Sequence, residues 1–256
     1  MKKLIQVSIV ILMFCAFLTN LGALAAKPIE VMISADQGPG GVEEVVLNRI
    51  KGYLEDMSEG RFEVAVMLGG QLGSEEQVSE MLVQGEIPFL YIGSELLGSY
   101  LGAGSWPLDI PFLFDSRSEA QNVLKKMLPE FTEKLIPHGL QIADAVMRMP
   151  RKLTGKKPIT SPDQVKGLKL RVPPIEEWLV VWGEILGAEA VALPGSEIFS
   201  GLQTGIADSQ ENPTTIALSL HIYEVNPYIM RTNHILAPRV MYMSNKWFNG
   251  RKLSRP

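Results

Sequence analysis

The chain has 256 residues, 46% apolar and 20% charged, with a net charge of −4 at neutral pH. Those are globular proportions, and they exclude a fibrous or disordered polypeptide. The acidic balance, with no cluster of lysine and arginine, also argues against a nucleic-acid partner, because phosphates demand basic patches.

Lys2 and Lys3 precede an apolar run from Leu4 to Leu18, and Ala23-Leu24-Ala25 follows with small residues. This pattern is that of a secretory signal peptide, with cleavage expected after Ala25. Phe14 before Cys15 does not suit a lipoprotein site. Cys15 is the one cysteine, so the exported protein would hold no thiol, which excludes disulfides and cysteine catalysis.

Ile29 to Ser34 reads as a buried strand, followed by the turn Gly38-Pro39-Gly40-Gly41. Val42, Val45, Val46, Ile50, Tyr53, Leu54 and Met57 recur at helical spacing up to Gly60. Phe62 to Val66 alternates as a strand, and Ser74 with Gln77 forms a capping-box pattern for a helix ended by Gly85. Pro88 to Ile92 is a further strand, so this part reads β-α-β-α-β, the rhythm of an α/β sheet.

Ser116 with Glu119 predicts a helix to about Pro137, interrupted near Pro129. Leu140 to Met147 reads as a strand, and Ser161-Pro162-Asp163-Gln164 opens a short helix. Leu168 to Val172 is a strand, Pro174 to Leu186 a helix, and Ala188 to Leu193 a strand. Ser196 is expected to cap a helix to Gly205, and Asn212-Pro213 to start another to about Tyr223. The remainder alternates in strand fashion to Ser244.

No catalytic constellation stands out. His138, His221 and His234 form no metal-ligand spacing, no G-x-S-x-G elbow exists, and the glycine turn lacks a dinucleotide fingerprint. No cofactor or metal is expected. Arg171 stands at the end of a predicted strand, where ligand clefts of open α/β sheets form. Arg151 precedes a Thr-Gly-Lys-Lys-Pro turn, and Asp208 to Pro213 is a polar run. An arginine fork is the natural partner of a carboxylate. Plainer readings compete: Arg171 as a surface salt-bridge partner, Arg151 with Arg148 and Lys152 as a solvated basic face, and Asn212 as a helix N-cap.

Seven segments in register resemble the solute-binding proteins of TRAP transporters, the DctP-like family, over about Gly60 to Trp247. They are Gly69 to Glu75; Leu108 to Phe114; Lys157 to Asp163 with Gly167 to Pro173; Leu186-Gly187-Ala188; Ser196 to Phe199 with Leu202 to Gly205; Asp208 to Pro213; and Thr232-Asn233-His234. The resemblance implies a bilobal α/β fold of the periplasmic-binding-protein kind, two α/β lobes with a ligand cleft between them. One lobe is expected from residues 26–148 plus about 238–256, the other from 149–237. It implies a periplasmic protein, not an enzyme, that captures a small organic acid and passes it to the permease subunits of the membrane.

By the same resemblance, Arg171 salt-bridges the ligand carboxylate, and Arg151 and Asn212 assist. Glu211, Trp106 and Trp178 are further pocket candidates. Three departures stand against the family pattern. Ser209 replaces a usual glycine, Gly195 lies where some members place an aromatic, and the chain stops at Pro256 where the family continues, which reads as a truncation. A secreted α/β enzyme or a ligand-sensing module using the same cleft is the alternative. An enzyme would need a base near Arg171, and Glu176, Glu177, Asp208 and Glu211 are the acids at hand.

Overall fold

The computed structural model describes residues 27–102 and 107–250. The expected signal peptide and Trp106 lie outside the described residues. Among the described residues, no helix is long and apolar enough to cross a membrane.

The chain opens as strand β1 (Ile29–Ala35), helix α1 (Val42–Met57), β2 (Phe62–Met67), α2 (Glu75–Gln84) and β3 (Phe89–Gly93). Helix α3 (Glu95–Leu101) and the long α4 (Arg117–Leu135) lead into β4 (Leu140–Met147). Then follow β5 (Arg151–Gly155), β6 (Lys169–Val172), a helix α5 (Glu176–Leu179), β7 (Glu189–Ala192) and α6 (Ile198–Thr204). The last elements are β8 (Ser209–Pro213), α7 (Thr214–Ser219), β9 (Tyr228–Ile235), β10 (Pro238–Ser244) and α8 (Asn245–Gly250).

The strands form two five-stranded sheets, ordered β2-β1-β3-β10-β4 and β7-β6-β8-β5-β9. In the first, β1 runs parallel to β2 and β3, and β10 is antiparallel to β3 and β4. In the second, β6 runs parallel to β7 and β8, and β5 is antiparallel to β8 and β9. Strand β10 thus returns to the first sheet after the chain has built the second.

Alternation along the strands fills two layers of core. On β10, Val240 and Tyr242 pack with Leu90, Leu124 and Leu135, while Met241 faces the other way onto Val31, Leu47 and Trp247. The second sheet buries Leu153, Leu170, Val172, Trp178 and Trp182 in one cluster and Ile198, Leu202 and Ile222 in another. Each sheet is therefore covered by its own helices, as α/β layering requires.

Several boundaries differ from the sequence reading. Helix α4 runs unbroken through Pro129. Pro129 and Lys125, whose carbonyl loses its partner there, are both on the exposed face. Leu124, Phe131 and Leu135 anchor both halves in the core, which outweighs the lost hydrogen bond. The Pro174 to Leu186 helix is only one α-turn, continuing as a π-helical segment over Val180–Ile185. Ser196 lies in a 3₁₀ turn, Gly195–Glu197, ahead of α6, and does not cap that helix.

The capping box at Ser74 is complete, with Gln77 N–H donating to Ser74 Oγ at 3.3 Å and Ser74 N–H to Gln77 Oε1 at 2.9 Å. Ser116 Oγ accepts from Glu119 N–H at 3.2 Å, whereas the Glu119 carboxylate turns to Asp115 N–H. Ser116→Ala is expected to cost about 1 kcal/mol, because one terminal N–H loses its partner. Thermal unfolding followed by circular dichroism should show a midpoint lowered by roughly 2–4 °C.

Candidate functional site

The strand directions decide where the site lies. In the second sheet the carboxyl ends of parallel β6, β7 and β8 share one edge, and antiparallel β5 brings its first residue to that edge. Arg151 therefore pairs with Pro213, beside Asn212, and Arg171 sits one residue before the end of β6. In the first sheet the carboxyl ends of β1 and β3 lie beside Arg239, which pairs with Gly93. Both edges face a common cavity of about 390 Å³. Arg151, Arg171 and Asn212 line it from one sheet, and Asp36, Gln37, Arg148 and Arg239 from the other. A crevice outside the carboxyl ends of strands is where open α/β sheets hold ligands.

Arg171 is 3% exposed, and its Nε and Nη2 both donate to the carbonyl of Leu193, at 2.8 and 2.5 Å. That carbonyl belongs to the segment leaving β7, so the neighbouring strand end aims the guanidinium. Arg171 is therefore not an exposed surface residue, as the salt-bridge reading would have it, but a buried one held by a backbone carbonyl.

Arg151 is also buried and opens β5, so the solvated basic face is equally set aside. Its Nε and Nη2 grip Glu211 Oε2 and Oε1 at 2.5 and 2.6 Å, a two-point fork. Its Cζ lies over the Trp178 ring, 4.5 Å from the centroid, a cation–π contact. Trp178 also lines a smaller, mostly apolar groove with Trp182, Pro107 and Ile110, which shares Ile175 with the main cavity.

Glu211 and Asn212 were both pocket candidates, but neighbours on a strand point to opposite faces. Asn212 lines the cavity, whereas Glu211 is fully buried behind Arg151 and is not on the cavity wall. Glu211 also takes a hydrogen bond from His234, whose Nε2 is 3.1 Å from Oε2. Asn212 is not an N-cap. It belongs to β8, helix α7 begins two residues later, and its Nδ2 donates to Gln210 Oε1 at 2.8 Å.

Across the cavity Arg239 pairs with Asp36, and its Nε lies 3.2 Å from Glu43 Oε1. Sequence reading passed over Arg239 and Asp36. A signal existed, since Arg239 is the one charged residue in the otherwise apolar run Pro238 to Met243. Among the described residues no group of His, Cys, Asp and Glu could hold a metal ion.

The fully buried Glu211 and the partly buried Asp36 shift in the same direction. Burial pushes Glu211 up, but the charge of Arg151 and the hydrogen bonds from Arg151 and His234 hold it below its ordinary value. Burial likewise pushes Asp36 up, and Arg239, by charge and hydrogen bond, brings it below the ordinary value. A carboxyl depressed in the fold stabilises it above its unfolded pKa, and that stability is lost as pH falls through the folded value. The unfolding midpoint should therefore drop as pH falls below the ordinary carboxylate range, about pH 4. A scan of Tm against pH checks this, and Glu211→Gln should flatten part of the decline.

Residues 40–252 match the DctP family, bacterial extracellular solute-binding protein family 7. The chain belongs to that family. Among solved structures, the sugar acid-binding protein DctPAm of Advenella mimigardefordensis, in complex with galactonate, is 29% identical with a TM-score of 0.80. The match covers 90% of this chain and 73% of that one. A TRAP periplasmic solute-binding protein of Bradyrhizobium sp., in complex with galacturonate, is 27% identical with a TM-score of 0.81, over 89% and 75%. The ectoine-binding periplasmic protein TeaA of Halomonas elongata is 29% identical over 82% of this chain and 62% of its own length. The chain thus spans less than two thirds of TeaA. These likenesses confirm the bilobal α/β fold with a cleft between its lobes.

Proposed function

We propose that this family 7 protein is the solute-capturing component of a TRAP-type uptake system, binding a small organic acid in the periplasm and delivering it to a membrane permease. The observation that carries this reading is the convergence of Arg151, Arg171 and Asn212 on one edge of a cavity shared by both sheets. Arg171 binds the ligand carboxylate, Asn212 adds a neutral amide beside it, and Arg151, locked by Glu211 and Trp178, completes the cationic wall. Residues 1–25 direct export and are removed. In this reading one lobe is residues 26–148 with about 238–256, and the other residues 149–237. No chemistry is performed; binding shifts an open–closed equilibrium of the lobes.

The test is thermal unfolding of the chain from residue 26 onward against a panel of organic acids. An acid at one hundred times its dissociation constant adds about 2.7 kcal/mol, and each kcal/mol raises the midpoint by roughly 2–4 °C. One acid class should give that shift. A cooperative transition that no organic acid moves would count against the proposal.

A further inference from the structure

The smaller groove beside Trp178 is a second cavity, of about 170 Å³, that acid binding leaves unused. One wall is the segment 107–111, which lies between α3 and α4. The other is the helical stretch after β6, which carries Trp178, Val181 and Trp182. Trp182 is 5% exposed, and its indole N–H is buried with no hydrogen-bond partner among the described residues. A buried donor left unmade is costly, and such groups in native structures call for a partner.

Both walls carry unusual backbone. Val180–Ile185 is π-helical, with Leu186 N–H donating to Val181 O at 3.1 Å. Such turns are rare and concentrate at functional sites. Opposite, the loop of Ile110 and Pro111 turns at Phe112, where φ is +58°, a left-handed value that is costly for a bulky side chain. Phe112 N–H donates to His234 O at 2.7 Å, and the His234 ring packs edge-on with Trp182, 5.2 Å between centroids. His234 thus braces both walls.

Asp109 and Glu177 stand in the lining, one from each wall. They repel an anion, which keeps the acid of the main cavity out of this one. A cation meets those carboxylates but leaves the indole N–H without an acceptor. A neutral molecule with a carbonyl oxygen answers the donor and sets its hydrocarbon body against Trp178, Val181 and Ile235. We propose that this groove is a second binding site, for a small neutral carbonyl compound whose oxygen accepts a hydrogen bond from Trp182 Nε1. The site stands whether or not the main cavity takes an acid.

Cyclohexanone is the probe, set against methylenecyclohexane, which has the same shape and no oxygen. The chain holds four tryptophans, so few indole N–H signals share a proton–nitrogen correlation spectrum, and Trp182→Phe identifies that of Trp182. In the wild type the ketone should move the Trp182 signal downfield to saturation and bind about 2- to 10-fold more tightly than the hydrocarbon. In Trp182→Phe that preference should vanish. Val181→Phe, which fills the groove and keeps the indole, should abolish binding of both. No saturable movement of the Trp182 signal, or a ketone preference retained in Trp182→Phe, overturns the inference. Tighter binding of cyclohexylammonium or cyclohexanecarboxylate at the same signal overturns the neutral class. The ketone and hydrocarbon are compared on the wild type, so that result holds even where a variant fails to fold.

Discussion

Arg171→Ala is expected to remove acid binding while the protein still folds. Its guanidinium lies on the cavity wall with two N–H groups already committed to Leu193 O. Truncating one member of a buried, hydrogen-bonded charge pair costs about 2–5 kcal/mol, so the dissociation constant should rise at least roughly 30-fold. Arg171→Lys should fall between, because a point charge lacks the planar fork. Calorimetry with the acid identified by thermal shift reads both. Near-wild-type affinity in the alanine variant would remove Arg171 from the site.

Glu211→Ala should be the most damaging single change to the fold. Glu211 is fully buried and receives both arms of the Arg151 fork together with His234. Removing it leaves a guanidinium that is 2% exposed without its carboxylate. Breaking such a pair costs about 3–5 kcal/mol. At roughly 2–4 °C per kcal/mol, the midpoint should fall by about 6–20 °C. The double variant Arg151→Met with Glu211→Leu should lose less than the single one, since no uncompensated charge remains. A single-variant loss below about 1 kcal/mol would show that the cluster is not held as its geometry implies. Because Arg151 lines the cavity, acid binding should weaken in the same variant.

Most of the elements could be read from local pattern. Helix α1 spans Val42–Met57 as the spacing predicts, but Val42, Val45, Val46, Tyr53 and Met57 of that apolar set are exposed and Leu47, outside it, is the buried residue; the Ser74 and Gln77 box marks the start of α2 where the structure has it. Failures came where packing overrode a local signal. Pro129 is tolerated because its turn faces outward on a helix anchored at both ends. Asn212-Pro213 looks like a helix start, yet sheet pairing with Arg151 and Lys152 draws both residues into β8.

The same contrast divides the site. Residue type and order alone determined that Arg151, Arg171 and Asn212 were candidates, because each carries the chemistry a carboxylate needs and falls within motifs of one family. Which way each side chain points was decided only by the tertiary structure. Strand alternation turns Glu211 away from the cavity while leaving Asn212 on it. The pairing of Arg239 with Asp36, some two hundred residues apart in sequence, fixes the Gln37 amide. A strand fixes the alternation of its side chains locally, but the face that meets a ligand is set by the neighbours that cover the other one. Those neighbours are brought together by sheet order, which no short stretch of sequence contains.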